Sequence, residues 1–238
     1  MAKKQLFDPS ATAPFPLSRS KLADSMTCQR CFYLDRRMGL AKPSTPPFTL
    51  NSAVDCLLKR EFDAYRARQQ PHPIMAKYGI NAVPFAHPDL DVWRSNFRGI
   101  RFLHSPSNFI VYGAPDDLWI GNDNELLLVD YKATASKETV ITLETAFRQG
   151  YKRQLELYGW LFRQNGFTVS HRAFILYANA QKDRDGFNGR LDFDIQLVEH
   201  LGNDDWVEPA LIKAKACLML DVAPAAATDC EWCQYRAA

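Results

Sequence analysis

The 238-residue sequence has no uninterrupted apolar run approaching 18 residues, so nothing in it reads as a membrane-crossing helix. Its opening, MAKKQLFDPSATAPFP, lacks the apolar stretch of a secretory signal, and a cytoplasmic location with no membrane partner is the expectation. A surplus of charge is missing too. Lys and Arg number 29 against 27 Asp and Glu, and the net charge of +2 is too small to demand a polyanion, although a local basic groove remains open. Histidine is scarce, five in all, and His72 and His87 sit beside prolines without ligand spacing, so neither is read as a metal ligand. No internal repeat is present. What remains is 47% hydrophobic and 12% aromatic residues in a chain long enough for one large domain or two small ones.

Cysteine is also sparse, but its placement carries information. Of Cys28, Cys31, Cys56, Cys217, Cys230 and Cys233, four form two Cys-x-x-Cys pairs, one near each end. Random placement would give only about 0.15 such pairs. In a reducing compartment they read as a four-thiolate metal site rather than disulfides. Cys56 and Cys217 fall in apolar, helix-like stretches and are expected as buried core thiols.

Residues 1–17, rich in Pro and Ala, are expected to form a flexible arm, and residues 18–238 a single domain. Ser18 or Ser20 caps a helix that leads to Cys28 and Cys31. Beside Phe32 and Tyr33, the basic Arg30, Arg36 and Arg37 offer either a phosphate contact or a solvated face. Prolines 43 to 47 break the chain, and a helix over residues 52–68 follows, with Val54, Leu57, Leu58, Phe62 and Tyr65 at helical spacing. Residues 71–100 read mostly as loop, with a short helix near 89–98. Further on, residues 142–165 carry the stripe Leu143, Phe147, Tyr151, Leu155, Tyr158 and stop at Asn165-Gly166. Residues 170–179 read as a core strand, 189–198 as an outer strand, and 205–220 as the last helix before Cys230-Glu231-Trp232-Cys233.

The chemistry gathers in VYGAPDDLWIGNDNELLLVDYK, from Val111 to Lys132. It reads as a hairpin: an apolar strand over 109–112, a turn at Gly121-Asn122-Asp123-Asn124, and the run Leu126-Leu127-Leu128-Val129 closing on Asp130-Tyr131-Lys132. Alternation places Asp130 and Lys132 on one face, about 6.6 Å apart, and Tyr131 on the other. On an exposed strand such a pair is an ion pair of small consequence. Four apolar residues before it suggest burial on both faces, where a carboxylate and an amine are expensive without a task. Asp116, three residues after Gly113, can reach the same face, whereas Asp117 points away. Two carboxylates and a lysine suit a hydrolase that grips a divalent ion and activates water. Gln154 and Tyr158, four apart, share one face of the following helix.

Gly113-Ala114-Pro115-Asp116, Asp130-Tyr131-Lys132 and Gln154-Leu155-Glu156-Leu157-Tyr158, in this order on strand, strand and helix, resemble the PD-(D/E)XK nucleases. Within them the chain looks like the RecB-type exonuclease domain and its relatives, the AddB nuclease domain and the CRISPR-adaptation exonucleases. SRSKLADSMTCQRCFYL is similar to that group's opening helix and CEWC to its closing cysteines, so the likeness covers nearly the whole chain. It implies an α/β, restriction-endonuclease-like core, a central mixed sheet flanked by helices in the order αβββαβ, with the termini joined by a four-cysteine metal site.

The activity it implies is that of a Mg2+- or Mn2+-dependent deoxyribonuclease, an exonuclease rather than an endonuclease, in DNA repair, recombination or defence. The substrate would be single-stranded DNA or DNA with free ends, with a helicase or recombination protein as partner. Asp116, Asp130, Lys132, Gln154 and Tyr158 would be catalytic. Asp55, Asp116, Asp130 and the carbonyl of Tyr131 would ligate the metal. Cys28, Cys31, Cys230 and Cys233 would hold a 4Fe-4S cluster. Three departures stand out: cysteines divide two and two instead of one and three, a pattern that suits tetrahedral zinc equally well; Asp55 replaces a histidine; and Asp130 replaces a frequent glutamate. Two rival readings are a catalytically silent nucleic-acid-binding module and a zinc-ribbon-type regulatory protein.

Overall fold

The structure, a computed structural model, describes residues 5–43, 48–138, 141–145 and 148–237. They gather into two units, one from the described parts of 1–46, 101–113 and 205–238, the other from those of 47–100 and 114–204. Numbered along the chain, the first unit contains β1 (Phe15–Ser18), α1 (Arg19–Thr27), α2 (Gln29–Arg36), β3 (Ile100–His104), β4 (Phe109–Gly113), α7 (Val207–Met219) and α8 (Glu231–Ala237). The second contains α3 (Thr49–Arg68), α4 (Pro73–Lys77), β2 (Ala82–Pro84), α5 (Leu90–Trp93), β5 (Asp117–Gly121), β6 (Leu126–Thr134), α6 (Gln149–Gln164), β7 (Val169–Ala180) and β8 (Phe193–Leu201).

The second unit is built on a mixed sheet, β2-β5-β6-β7-β8, in which β6 and β7 run parallel and the other neighbours antiparallel. The parallel pair needs a crossover, and α6 supplies it. Because strand side chains alternate, β6 sends Leu127, Val129 and Tyr131 into one core with Phe62 of α3, Trp119 and Phe174. Phe62 stacks on Trp119 at 5.5 Å and on His72 at 4.3 Å. The alternate residues of β6 face the other way, where α6 packs on β6 and β7 with Leu155, Tyr158, Leu161 and Phe162 buried. Helices thus cover both faces of a central mixed sheet, as the αβββαβ expectation requires. Gly166 ends α6 with φ +87°, a conformation that a residue with a Cβ adopts only under strain.

In the first unit β4 lies between β1 and β3, parallel to β1. Ser18 caps α1 by accepting from Lys21 N, and Cys28, extended at φ −155°, separates α1 from α2. No described helix is long and apolar enough to cross a membrane.

Several expectations need correction. The hairpin partner of β6 is β5, joined to it by a tight turn with Asn124 at φ 62°, while Phe109–Gly113 belongs to the other sheet. The first strand of the mixed sheet is instead the short edge strand β2, hidden among prolines in a region read as loop, where an edge position tolerates Pro84. Helix α6 starts at Gln149 instead of 142, and Phe147 lies outside the described residues. The arm expected over residues 1–17 ends in β1, and Phe7, Phe15 and Leu17 are buried. Cys217 is buried, but Cys56 is exposed because α3 turns Leu58, Phe62 and Arg66 inward and carries Cys56 on its outer side. Arg30, Arg36 and Arg37 are used internally, donating to Pro224 O, Gln5 O and Leu218 O.

Candidate active site

Asp130 lies in the middle of β6, 1% exposed, on the side facing α6. One carboxylate oxygen accepts from Gln154 Nε2 at 2.6 Å, and the other is gripped by the Lys132 ammonium two residues along. Gln154 Nε2 also donates to the Tyr158 hydroxyl at 3.2 Å, so the i, i+4 pair on α6 acts as one bracket over the strand. Asp116 stands just before β5. Its Oδ2 accepts the Tyr131 backbone N–H at 2.9 Å, fixing it against β6 between Asp130 and Lys132. The carbonyl of Tyr131 accepts from Lys132 Nζ at 3.3 Å and so opens onto the same side.

Asp55 reaches the group less directly. Lys59, one turn further along α3, donates to Asp55 Oδ2 at 2.9 Å and to Asp116 Oδ1 at 3.2 Å, and its ammonium stands between the two carboxylates. Among the described residues the three aspartates therefore do not close to ligand spacing around one point. Lys59 was not expected from sequence, where an aspartate and a lysine four apart on a helix look like any surface pair. Two more residues emerge only from the tertiary structure. Tyr151 presents its ring to Lys132 Nζ at 5.1 Å, and Tyr177 pairs with Lys132 across the β6/β7 ladder. Together with Asp55, Asp116, Tyr131 and Lys132 they line a cavity of about 670 Å³.

The electrostatics follow from burial. Burial, then the Asp116 carboxylate beside it, pushes the Asp130 acid up to about 7. Asp55 is raised for the same two reasons in the same order. Burial works to lower the Lys132 amine, but Asp130 and Asp116 outweigh it and the amine is held above its usual value. Three carboxylates face two ammonium groups, Lys59 and Lys132, so the site keeps one negative charge in excess when all are ionised. That surplus, a buried acid near neutrality and a Lys59 ammonium already seated between two carboxylates are what a cation-binding pocket of hard oxygen donors looks like. The oxygens of Asp116, Asp130 and the Tyr131 carbonyl are donors of the kind a hard divalent cation takes.

Tyr131 itself points to the opposite side, where its hydroxyl donates to Asp117 at 2.8 Å. Asp117 is fully buried and also accepts from Arg94 at 2.6 Å, from Arg66, and from Trp119 Nε1 at 3.3 Å. His72 and His87 serve locally, each accepting a backbone N–H two residues along and stacking on Phe62 and Trp93 respectively.

In the first unit the four paired cysteines meet. Each Cys-x-x-Cys opens a short helix, so its two sulfurs share one side. Cys28 Sγ lies 3.7 Å from Cys233, and Cys31 Sγ lies 3.6 Å from Cys230 and 3.5 Å from Cys233. Burial pushes the Cys28 thiol up, but backbone hydrogen bonds from Ala227 and Cys31 overcome it and bring it down to about 7. This group can hold a metal.

The chain resembles in structure an exonuclease candidate from Eubacterium rectale, with 14% identity over 99% of this chain and 92% of that one and a TM-score of 0.46. It also resembles the alkaline exonuclease LHK-Exo from Laribacter hongkongensis, with 14% identity over 85% of this chain and 86% of that one and a TM-score of 0.38. A search of curated proteins finds no match. The profile of the PD-(D/E)XK nuclease superfamily matches residues 16–238, from β1 through the mixed sheet to the last cysteines, and the chain belongs to that superfamily.

Proposed function

We propose that this nuclease is a Mg2+- or Mn2+-dependent deoxyribonuclease of RecB type, its residues 18–238 acting as a single nuclease domain. It acts as an exonuclease on single-stranded or free-ended DNA in repair, recombination or defence, in the cytoplasm and alongside a helicase or recombination protein. The observation that carries the metal-dependent reading is Asp130, a buried carboxylate pushed up to about 7, bracketed by Gln154 and Lys132 and pressed against Asp116. A structural ion pair has no need of a second acid at that point.

Asp116 and Asp130, with the Tyr131 carbonyl and Asp55, would hold the divalent ion, which when bound supplies Lewis acidity toward water and offsets phosphate charge. Lys132 contributes the positive charge that meets the negative charge building on the phosphate oxygens. Gln154 fixes the orientation of Asp130 and is itself oriented by Tyr158. Tyr151 and Tyr177 line the cavity beside Lys132, the ring of Tyr151 lying 5.1 Å from its ammonium.

Labelled single- and double-stranded DNA, incubated with Mg2+ or Mn2+, should be degraded from its ends, and EDTA should stop degradation. Binding without cleavage under either metal would show the silent nucleic-acid-binding module instead.

Metal binding should also depend on pH. Asp130 keeps its proton up to about pH 7 in the metal-free protein, and an incoming ion must expel it. Apparent affinity should climb about tenfold per pH unit below 7 and level off above it. For the metal-free fold, an acid raised on folding contributes its stability below the unfolded value of about 3.9 and loses it as pH climbs through about 7. Titration calorimetry across that window tests the coupling, and an affinity indifferent to pH there would remove Asp130 from the ligand set.

A further inference from the structure

We infer that Cys28, Cys31, Cys230 and Cys233 bind a single zinc ion in a tetrahedron of thiolates and not the 4Fe-4S cluster that the family resemblance implies. The argument is one of spacing. The four sulfurs all lie within 4.8 Å of one another, and three of the pairs stand at 3.5, 3.6 and 3.7 Å. Four sulfurs each about 2.3 Å from one central ion must stand about 3.8 Å apart if the geometry is tetrahedral. In a cubane each thiolate binds its own iron and radiates from a separate corner. The iron–iron separation is then added to the single-ion value, and the sulfurs stand roughly 6 Å or more apart. Every one of the six sulfur pairs would have to spread by more than an ångström to admit the cluster.

The local backbone points the same way. Cys28 caps α2 and Cys31 lies in its first turn, while Cys230 directly precedes α8 and Cys233 lies in its first turn. Both pairs therefore present two sulfurs to one point from a rigid helical start. Cys230 O accepts from Cys233 N at 3.0 Å and from Gln234 N at 3.1 Å, closing the second turn. Ala227 and Trp232 pack against the sulfurs. Four thiolates around one divalent ion carry a net charge of −2, and the N–H groups of Ala227 and Cys31 directed at Cys28 offset part of it. A tetrahedral set of four thiolates is a common structural zinc site, and soft sulfur donors suit that ion.

The test uses the full chain, produced with both iron and zinc in the medium and purified without oxygen. Metal and acid-labile sulfide are then measured, with Co2+ exchanged in as a geometric probe. The expected result is a colourless protein with one zinc per chain, no sulfide, and the visible bands of tetrahedral cobalt thiolate after exchange. Four irons with matching sulfide and a brown colour would overturn the inference, and so would a single iron, or a protein that takes up neither Zn2+ nor Co2+. Cys31→Ser should lose at least nine-tenths of the bound zinc. Asp130→Ala should keep all of it, so loss of nuclease activity and loss of zinc read out separately.

Discussion

Asp130→Asn should give a folded protein that no longer cuts DNA, with metal-dependent cleavage down about a thousandfold or more, equivalent to about 4 kcal/mol of barrier. Asparagine keeps the shape of the side chain and an oxygen for the Gln154 amide, which now reaches Asp130 at 2.6 Å. It removes the charge that a divalent ion needs and that burial and Asp116 resist. Losing a carboxylate raised on folding favours the native state near neutral pH, and losing the Lys132 contact opposes it. The melting temperature should therefore move little in either direction. Cleavage rates in Mg2+ and Mn2+ set beside thermal unfolding decide the matter. A variant retaining more than about a tenth of wild-type cleavage would end the proposed role of Asp130.

Asp117→Ala should produce the opposite pattern, a large loss of stability from a residue outside the cavity. Asp117 is fully buried and takes hydrogen bonds from Arg94, Arg66, the Tyr131 hydroxyl, Trp119 Nε1 and the Leu118 backbone. Alanine leaves two guanidinium groups, each only 8% exposed, sharing the half-exposed Asp63. Removing one member of a buried ion network destabilises by about 3–5 kcal/mol. In a chain of this length that lowers the melting temperature by about 6–20 °C. Denaturant unfolding measures it, and a change below about 1 kcal/mol would mean the arginines find other partners.

The fold class, a central mixed sheet flanked by helices, was legible in the sequence, and so were the side-chain pairings of the candidate site that depend on local spacing. Asp130 and Lys132 could be placed together because strand alternation is local, and Gln154 with Tyr158 because helical spacing is local. Both pairs stand as expected. The meeting of Asp116 with β6 was also anticipated, although from the wrong hairpin. An apolar run such as Phe109–Gly113 does not say which sheet it joins, and β2 is only three residues long. Lys59 and Tyr177 were out of reach for a different reason. One depends on how α3 is rotated over the sheet, and the other on the β6/β7 register, and neither is encoded within a short window.

The strand β6 carries these two patterns back to back. Its even-numbered residues Asp130 and Lys132 belong to the candidate site, while the intervening Tyr131 anchors the aromatic core through Asp117. A slip of one position in pairing with β5 or β7 would exchange the two sets, driving an acid and an amine into the Phe62 and Trp119 layer and turning a phenol toward the cavity. Misaligned molecules would therefore lose the packing of that layer. One ladder of hydrogen bonds thus sets both the aromatic core and the side-chain arrangement of the candidate site.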